Sequence, residues 1–319
     1  MRFIGFFCFV LLSWNAAASY IDKKEVKTFI DQLVQEEKFE RAYVTGLFEK
    51  AEYKQSIIDA ITRPAEGKPW HQYRPIFVTK TRAEQGKAFL AKYRETLLRA
   101  EKEFGVPPEV VVAIIGVETR YGRHAGNYRV IDALSTLAFD YPKRGKFFRK
   151  ELVQFLKLTR EESMDPLALK GSYAGAMGYG QFIPSSFRSY AIDFDGDGKK
   201  DIWNNPVDAI GSVANYFKRH GWKRGEQVVL PARVKGNAYK PLLNKGLKPT
   251  HTIHQLSELG FMADAGQLVG GMSTAMALKG DEGMEHWLGL HNFYVITRYN
   301  HSKLYAMAVY QLSQKIVEK

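Results

Sequence analysis

The chain has 319 residues, 45% of them hydrophobic and 13% aromatic, which is the composition of a globular protein rather than a disordered one. Its 46 Lys and Arg residues against 34 Asp and Glu residues give a formal charge of +12, which favours a polyanionic partner. The basic residues are scattered and form no zinc-finger or RNP motif, which argues against nucleic acid. An anionic wall polymer or a membrane surface is then the favoured partner. The alternative is that the positive charge only keeps the protein soluble.

Residues 1–18 are typical of a cleavable signal peptide. Arg2 precedes an apolar run at 3–12 that is too short to span a bilayer, and "NAAAS" fits a cleavage site before Ser19. An uncleaved membrane anchor is the alternative. The only cysteine, Cys8, lies in this segment, so the mature chain would hold no disulfide, thiol nucleophile or cysteine-based zinc site. Small residues rather than Cys follow the apolar run, so we expect no lipid-attachment cysteine.

The first half of the mature chain has the apolar spacing of helices. This spacing predicts helices within 20–62, a connector at 63–75 that prolines interrupt, and further helices at about 82–104 and 108–119. The last of these begins with two prolines and Glu109, which suit a helix N-terminus. It is apolar on all sides, so we expect it to lie inside the protein.

The second half changes its pattern. "FFRKELVQFLKLTREE" and "PVDAIGSVANYFKRHG" predict amphipathic helices on either side of a glycine-rich loop, "GSYAGAMGYGQF". From 227 to 296, the runs "QVVLPARV", "MSTAMAL" and "FYVITRY" alternate with turn residues, which predicts a small β-rich insert. A helix at 301–317 closes the chain.

Glu118 lies near the end of the apolar helix. Burial and the negative end of the helix both raise the pKa of a carboxyl group, so Glu118 is a candidate general acid. The alternative is a structural carboxylate that pairs with Arg120 or Arg123. The pattern alone leaves both interpretations open.

The segment "DFDGDGKKD" fits the opening of a calcium-binding loop. Asp193, Asp195 and Asp197 alternate before a glycine, as in D-x-D-x-D-G. Lys199 would contribute its backbone carbonyl and Asp201 would bind directly or through water. The twelfth position is Asn204 instead of a bidentate Glu, and Asp208, just inside the next helix, is a candidate to close a longer loop. A solvated acidic turn is the alternative.

Five segments occur in one order and closely resemble the lytic murein transglycosylases of the membrane-bound B type. They are "GVPPEVVVAIIGVETRYGR", "GSYAGAMGYGQFIPSSF", "DFDGDGKKDIW", "AIGSVANYFKRHGW" and "ITRYNHSKLYAMAV". The resemblance implies a mainly α (α+β) fold with a lysozyme-like core, an α subdomain and a small β-rich subdomain. The implied division is a helical subdomain and connector at 20–104, the catalytic core at 105–226, the β-rich insert at 227–296 and a helix completing the core at 297–319.

The resemblance also implies an activity. The enzyme would cleave the β-1,4 bond between N-acetylmuramic acid and N-acetylglucosamine in peptidoglycan without adding water, leaving a 1,6-anhydromuramoyl end. No organic cofactor is expected, and one structural Ca²⁺, or Na⁺ in its place, would occupy the loop at 193–208. Glycan strands of peptidoglycan would be the main partner, and other cell-wall enzymes would be protein partners. We expect a monomer in the periplasm, without a transmembrane span in the mature chain.

The family's functional positions fall on residues of this chain. The catalytic position matches Glu118, and the cation ligands match Asp193, Asp195, Asp197, Lys199 and Asp208. The substrate-binding positions match Tyr73, Ser172, Gln181, Tyr216, Tyr299, Asn300 and Tyr305.

Three other functions stay open on the sequence. A hydrolytic muramidase needs a second carboxylate ~5–9.5 Å from Glu118, for which Asp132 and Asp140 are candidates by sequence proximity. A non-catalytic peptidoglycan-binding protein would keep the tyrosines but has no need of Glu118 in apolar surroundings. A calcium sensor is disfavoured because the sequence has one cation loop and no paired EF-hand.

Overall fold

A computed structural model of the chain describes residues 20–63, 67–263 and 270–318. The predicted signal peptide, with Cys8 and Ser19, lies outside these residues. No helix in the three described ranges is long and apolar enough to cross a membrane.

Helices form most of the described chain. In order they are α1 (Lys24–Gln35), α2 (Arg41–Lys50), α3 (Gln55–Ile61), α4 (Trp70–Phe77), α5 (Lys80–Lys92), α6 (Arg94–Phe104), α7 (Pro108–Thr119), α8 (Val130–Asp140), α9 (Gly145–Glu161), α10 (Pro184–Tyr190), α11 (Pro206–Arg219), α12 (Ile253–Glu258), α13 (His291–Tyr299) and α14 (Lys303–Val317). The strands are β1 (Tyr128–Arg129), β2 (Lys170–Gly171), β3 (Val229–Val234), β4 (His251–Thr252), β5 (Phe261–Ala263), β6 (Met272–Lys279) and β7 (Met284–Gly289).

Five of the strands form one antiparallel sheet in the order β4-β6-β7-β3-β5. The sheet has a small core of its own, with Leu230, Phe261 and Leu288 buried together. The other two strands form a separate short pair, in which Tyr128 lies opposite Gly171. This architecture confirms the prediction of a mainly α protein with a small β-rich subdomain.

Two larger apolar cores hold the helices. One lies between α1–α3 and the pair α8 and α9, and Phe29, Phe48 and Phe148 are among its buried rings. The other surrounds α7, which α5, α6, α11 and α14 contact on different sides. Nine of the 12 residues of α7 are buried, which confirms that this helix lies inside the protein. Each buried Val or Ile side chain contributes about 1.5–3 kcal/mol, so α7 is firmly held.

The end of α7 is held by an unusual backbone turn. Arg120 and Tyr121 both adopt left-handed conformations, with φ of 51° and 62°. Each such residue costs about 1–3 kcal/mol, and the conformation persists only because surrounding contacts hold it there. The Tyr121 hydroxyl donates to the Arg82 carbonyl at 2.8 Å, and its ring lies where a side chain at Gly116 would have to be. The fold therefore fixes the point at which the chain leaves α7.

Three local predictions are wrong. The predicted connector contains α4, with Pro75 inside the helix, because Trp70 and Tyr73 are buried against the core and stabilise a helical turn there. The single helix expected at 82–104 is two helices, α5 and α6, divided at Tyr93. "FYVITRY" is helical within α13 rather than β, since helical spacing buries Phe293 and Ile296 together and packing outweighs β propensity.

Candidate active site

Glu118 lies in the last turn of α7 and faces α14. Its Oε1 accepts a hydrogen bond from the Tyr305 hydroxyl at 2.5 Å. Burial raises the pKa of Glu118 to about 7, and the hydrogen bond from Tyr305 opposes that rise. A carboxyl group with a pKa near neutrality exists in both protonation states at physiological pH, as a general acid and base requires.

The ion-pair alternative for Glu118 is not found in the described part of the chain. The Arg120 Nε donates instead to the Gln85 side chain at 3.1 Å. Among the described residues, no ion pair includes Glu118 or Arg123. Tyr305, a neutral donor, is therefore the side-chain partner of Glu118, and the carboxyl group keeps its raised pKa.

Two tyrosines, Tyr299 and Tyr305, are neighbours of the carboxyl group. The Tyr299 hydroxyl donates to the Gly180 carbonyl at 2.5 Å, and the pKa values of Tyr299 and Tyr305 are raised by burial and by the neighbouring Glu118. Tyr216 donates to the Arg298 carbonyl at 2.5 Å, and its ring centre lies 4.7 Å from that of Tyr299.

The predicted substrate-binding tyrosines differ in exposure. Tyr73, Tyr216 and Tyr305 are buried, whereas Tyr299 is partly exposed and Asn300, which follows it, is exposed. Of the three buried tyrosines, Tyr305 contacts the carboxyl group of Glu118, and Tyr216 packs against Tyr299. Their predicted contact with sugar stays a prediction.

The glycine-rich loop forms the opposite side of the site. Gly178 has φ of 66°, and a Cβ there would lie 2.3 Å from the Ile202 carbonyl oxygen. A Cβ at Gly180 would lie 2.8 Å from the Tyr299 hydroxyl. Only glycine allows these close approaches, the first to the backbone of Ile202 and the second to Tyr299 at the end of α13.

Two predicted substrate-binding residues lie on this loop and are held by it. The Ser172 Oγ accepts from the backbone N–H groups of Ala174 and Ala176 at 3.3 and 3.1 Å. The Gln181 Nε2 donates to the carbonyls of Ala125 and Gly178 at 3.0 and 2.9 Å. With both amide hydrogens engaged, Gln181 has its Oε1 left to accept a hydrogen bond from a ligand.

Thr119 joins α7 to the glycine-rich loop, and no sequence motif identifies it. Its buried hydroxyl lies 2.9 Å from the Tyr179 carbonyl and 3.1 Å from that of Ile115, and it accepts from the Gly122 N–H at 2.9 Å. In the sequence, the position of Thr119 directly after Glu118 is the only indication of its role. That position does not reveal its hydrogen-bond partner Tyr179, which is 60 residues away.

The candidates for a second catalytic carboxylate are engaged elsewhere. Asp132 is buried and receives two hydrogen bonds from Arg129, at 2.7 and 2.9 Å. Asp140 pairs with Lys23 and accepts from the Tyr20 hydroxyl. Burial raises the pKa of Glu118, and no neighbouring carboxylate of the described residues contributes to that rise.

The predicted cation loop brings three carboxylates together. Oxygen atoms of Asp193, Asp195 and Asp197 lie within 4.8 Å of one another. No lysine or arginine of the described chain pairs with them, so the donor set of hard oxygens fits Ca²⁺. Backbone N–H groups orient the loop: Gly196 and Gly198 donate to Asp193 at 2.7 and 2.8 Å.

The remaining predicted ligands lie around this cluster. The Lys199 N–H donates to the Asp197 carboxylate at 2.8 Å, so the backbone of Lys199 lies beside it. Asp208 is buried and accepts from the N–H groups of Phe194 and Asp201 at 2.7 and 2.9 Å, and burial raises its pKa. Asp208 lies outside the three-residue cluster and supports both ends of the loop, so its role as a direct ligand stays a prediction.

The whole chain has close relatives. A curated relative, the membrane-bound lytic murein transglycosylase B of Escherichia coli (strain K12), is 44% identical over 309 residues, which cover 93% of this chain and 84% of the relative. The soluble lytic transglycosylase SltB1 from Pseudomonas aeruginosa superposes with a TM-score of 0.88 at 53% identity, covering 92% of this chain and 98% of that one.

Two further solved structures contain ligands. Escherichia coli Slt35 in complex with calcium has a TM-score of 0.85 at 44% identity, covering 92% of this chain and 93% of that one. SltB3 from Pseudomonas aeruginosa in complex with NAG-NAM-pentapeptide has a TM-score of 0.82 at 31% identity, covering 92% and 79%. The family model described as the transglycosylase SLT domain matches residues 22–314. The buried helix α7, with Glu118 in its last turn, thus occurs here in the lysozyme-like fold of Slt35, and the chain belongs to the lytic transglycosylases of the SLT family.

Proposed function

We propose that this enzyme cleaves the β-1,4 bond between N-acetylmuramic acid and N-acetylglucosamine in peptidoglycan and forms 1,6-anhydromuramoyl ends, with Glu118 as the only acid and base. The observation that carries the proposal is the contact of Glu118 with a neutral donor, Tyr305, in buried surroundings that raise its pKa, while Asp132 and Asp140 are held by Arg129 and Lys23. Hydrolysing glycosidases ordinarily use two carboxylates, whereas an intramolecular transfer needs one group that first gives and then takes a proton.

In the first step, protonated Glu118 donates its proton to the glycosidic oxygen as the bond from that oxygen to C1 of the muramic residue breaks. Glu118 is then a carboxylate. In the second step it takes the proton from the C6 hydroxyl, whose oxygen bonds to C1 and closes the anhydro ring. Tyr305 donates to the carboxyl oxygen and fixes its direction in both steps. The proton returns to Glu118 and no water is consumed.

Four side chains are proposed to hold the sugars beside Glu118. Gln181 would accept a hydrogen bond through Oε1, because its amide hydrogens already bind the loop backbone. Asn300 is exposed at the end of α13 and has both a donor and an acceptor for an acetamido or hydroxyl group. Ser172 and Tyr299, both partly exposed, complete this set.

The cation loop is proposed to bind one Ca²⁺, or Na⁺ in its place, for stability rather than chemistry. Asp193, Asp195 and Asp197 would bind through their carboxylates, Lys199 through its carbonyl, and Asp208 would close the loop. Support comes from the convergence of the three carboxylates and from calcium in the Slt35 complex. We further propose that residues 1–18 are a signal peptide removed on export to the periplasm, where the protein acts as a monomer.

The test is the chemistry of the new chain end. Purified protein is incubated with peptidoglycan in ¹⁸O-labelled water, and the products are measured by mass spectrometry. Every new muramoyl end should be lighter by one water than a hydrolysed end and carry no ¹⁸O. Reducing ends that contain ¹⁸O would identify a hydrolytic muramidase and redirect the search to a second carboxylate. If the protein binds peptidoglycan but does not cleave it, the result identifies a non-catalytic peptidoglycan-binding protein.

A further inference from the structure

A cavity lies where the β-rich subdomain meets the helical core, away from Glu118. Its volume is about 440 Å³, within the ~300–1,000 Å³ range of ligand-binding sites. Such sites occur preferentially where two domains meet. The apolar side chains of Ile253 and Leu290 lie at its base, and Met272, Lys223 and Lys248 are exposed at its rim. We call it the junction cavity.

The walls of the junction cavity are held in place by hydrogen bonds. Buried Asn292 accepts from the Lys223 N–H at 2.9 Å and donates to the carbonyls of Lys223 and Glu226 at 2.8 and 2.9 Å. The His291 Nε2 donates to the Gly221 carbonyl at 2.7 Å. A site whose walls are already ordered binds with a smaller entropic cost.

The charged residues that line the junction cavity are Lys223, Lys248 and Glu226, and they belong to a segment of the chain that is basic as a whole. The segment 223–258 has seven Lys and Arg residues and two Glu residues, and all seven basic side chains are exposed. Only Lys223 forms an ion pair with an acidic side chain of the described chain, Glu226, at 3.3 Å. Lys248, which forms no ion pair among the described residues, lies beside an apolar base, and this combination favours a ligand that joins a carboxylate to small aliphatic groups.

Helix α13 links this cavity to the catalytic site. His291 and Tyr294 line the cavity at one end, and Tyr299 contacts the glycine-rich loop at the other. Nine helical residues rise about 12 Å between the two ends, at ~1.5 Å per residue. His291, Tyr294 and Arg298 share the accessible face, because they are three and four positions apart and none is buried.

We propose that the junction cavity binds the acidic peptide attached to the glycan strand that is being cut. This proposal rests on the proposed function, because it takes peptidoglycan as the substrate. An extended peptide of four or five residues spans roughly 13–18 Å, at ~3.3–3.6 Å per residue, which matches the length of α13. A carboxylate of the peptide pairs with Lys248, and its methyl groups contact Ile253 and Leu290.

Two variants and two substrates test the proposal. Lys248→Glu reverses a charge at the rim and Met272→Asp places a carboxylate beside the apolar base, and both positions are exposed, so the fold is kept. Each variant is assayed on glycan strands that retain their peptides and on strands from which an amidase has removed them. On peptide-bearing strands, KM should rise about threefold, the scale of one charge interaction at a surface, with kcat unchanged. On peptide-free strands, both variants should equal the wild type.

Lys235→Glu is the matched control, since Lys235 is an exposed lysine of the same subdomain outside the cavity lining. It should leave KM unchanged on both substrates. Equal KM for wild type and both cavity variants on peptide-bearing strands overturns the proposal. So does an equal loss on both substrates, or the same loss in Lys235→Glu, because general charge attraction then explains the effect. If the wild-type protein cleaves neither substrate, the proposed function itself has failed.

Discussion

The molecule uses carboxylates in two opposite environments. Glu118 lies among tyrosines and apolar residues, and burial raises its pKa to about 7. Asp195, in the cation loop, is exposed and accepts from the Asn205 side chain at 2.7 Å, and that hydrogen bond lowers its pKa. The first carboxyl group retains a proton near neutrality, while the second stays ionised.

The comparison shows that surroundings, rather than residue type, decide what a carboxylate does. A single group that loses solvent and gains one neutral donor can exchange a proton. The carboxylates of Asp193, Asp195 and Asp197 have oxygen atoms within 4.8 Å of one another. As anions they repel each other, and a bound cation would relieve that repulsion.

The largest effect is expected for Glu118→Gln, which keeps the shape of the side chain but cannot transfer a proton. Because one group serves both steps, activity should fall by at least ~10⁴-fold, the upper end for general acid–base catalysis. Release of anhydromuropeptides from purified peptidoglycan is the measurement. Asp132→Asn is the matched control for activity, since Asp132 is bound by Arg129 away from Glu118. Near-normal activity of Glu118→Gln would return Glu118 to a structural role.

The same substitution should change the pH dependence of stability. The pKa of Glu118 in the folded protein, about 7, lies above the ordinary value of 4.5 for a glutamate, so the folded state loses stability as pH rises from 4.5 to 7. Glu118→Gln removes this loss. Its Tm should exceed that of the wild type at pH 8 and equal it at pH 4. A Tm difference that does not depend on pH would contradict the assigned pKa.

On the other side of the comparison, calcium should raise the stability of the folded protein. A ligand that binds only the folded state adds ~2.7 kcal/mol at a hundredfold excess over its Kd. Melting curves with and without millimolar calcium test this, and Asp193→Ala should abolish the increase in Tm. Asp281→Ala removes an exposed charge from the turn between β6 and β7 and should keep the increase. An unchanged wild-type Tm would contradict the site.

Thr119→Val tests whether the catalytic helix must be tied to the glycine-rich loop. Valine keeps the shape but leaves the Tyr179 carbonyl and the Gly122 N–H without the hydroxyl, at a cost of ~1–3 kcal/mol. Activity should fall about tenfold, the rate equivalent of ~1.4 kcal/mol. Thr119→Ser keeps the hydroxyl and should remain close to the wild type. If the Ser variant loses as much activity as the Val variant, the methyl group rather than the hydrogen bonds is responsible.

The smallest effect is expected for Tyr305→Phe, which removes the donor to Glu118. That hydrogen bond lowers the pKa of Glu118, so its loss should raise the pKa further. The alkaline limb of the pH–activity profile should therefore move to higher pH, because the acid form persists longer. Tyr310→Phe, on the same helix, is the control and should leave the profile in place. A shift to lower pH in Tyr305→Phe would contradict the assigned direction.

The sequence by itself determined the parts of the protein that depend on neighbouring residues. The apolar composition of α7 and the prolines at its start predicted a buried helix with the bounds that the structure has. The alternation of Asp193, Asp195 and Asp197 predicted a cluster of carboxylates, because the ligands of such a loop lie a few residues apart. The mainly α architecture with a small β-rich subdomain followed from the change of period along the chain.

Only the tertiary structure decided the environment of Glu118. It also decided the conformation of the segments in which packing outweighs local propensity. Tyr305, its hydrogen-bond partner, is 187 residues away, and no local pattern reports that contact. The β-prone run in α13 and the proline-containing α4 are helices because each buries apolar side chains against the core. Burial and long-range hydrogen bonds arise only when distant segments pack together. The residue that can act as an acid is therefore visible in the sequence, while its pKa is a property of the fold.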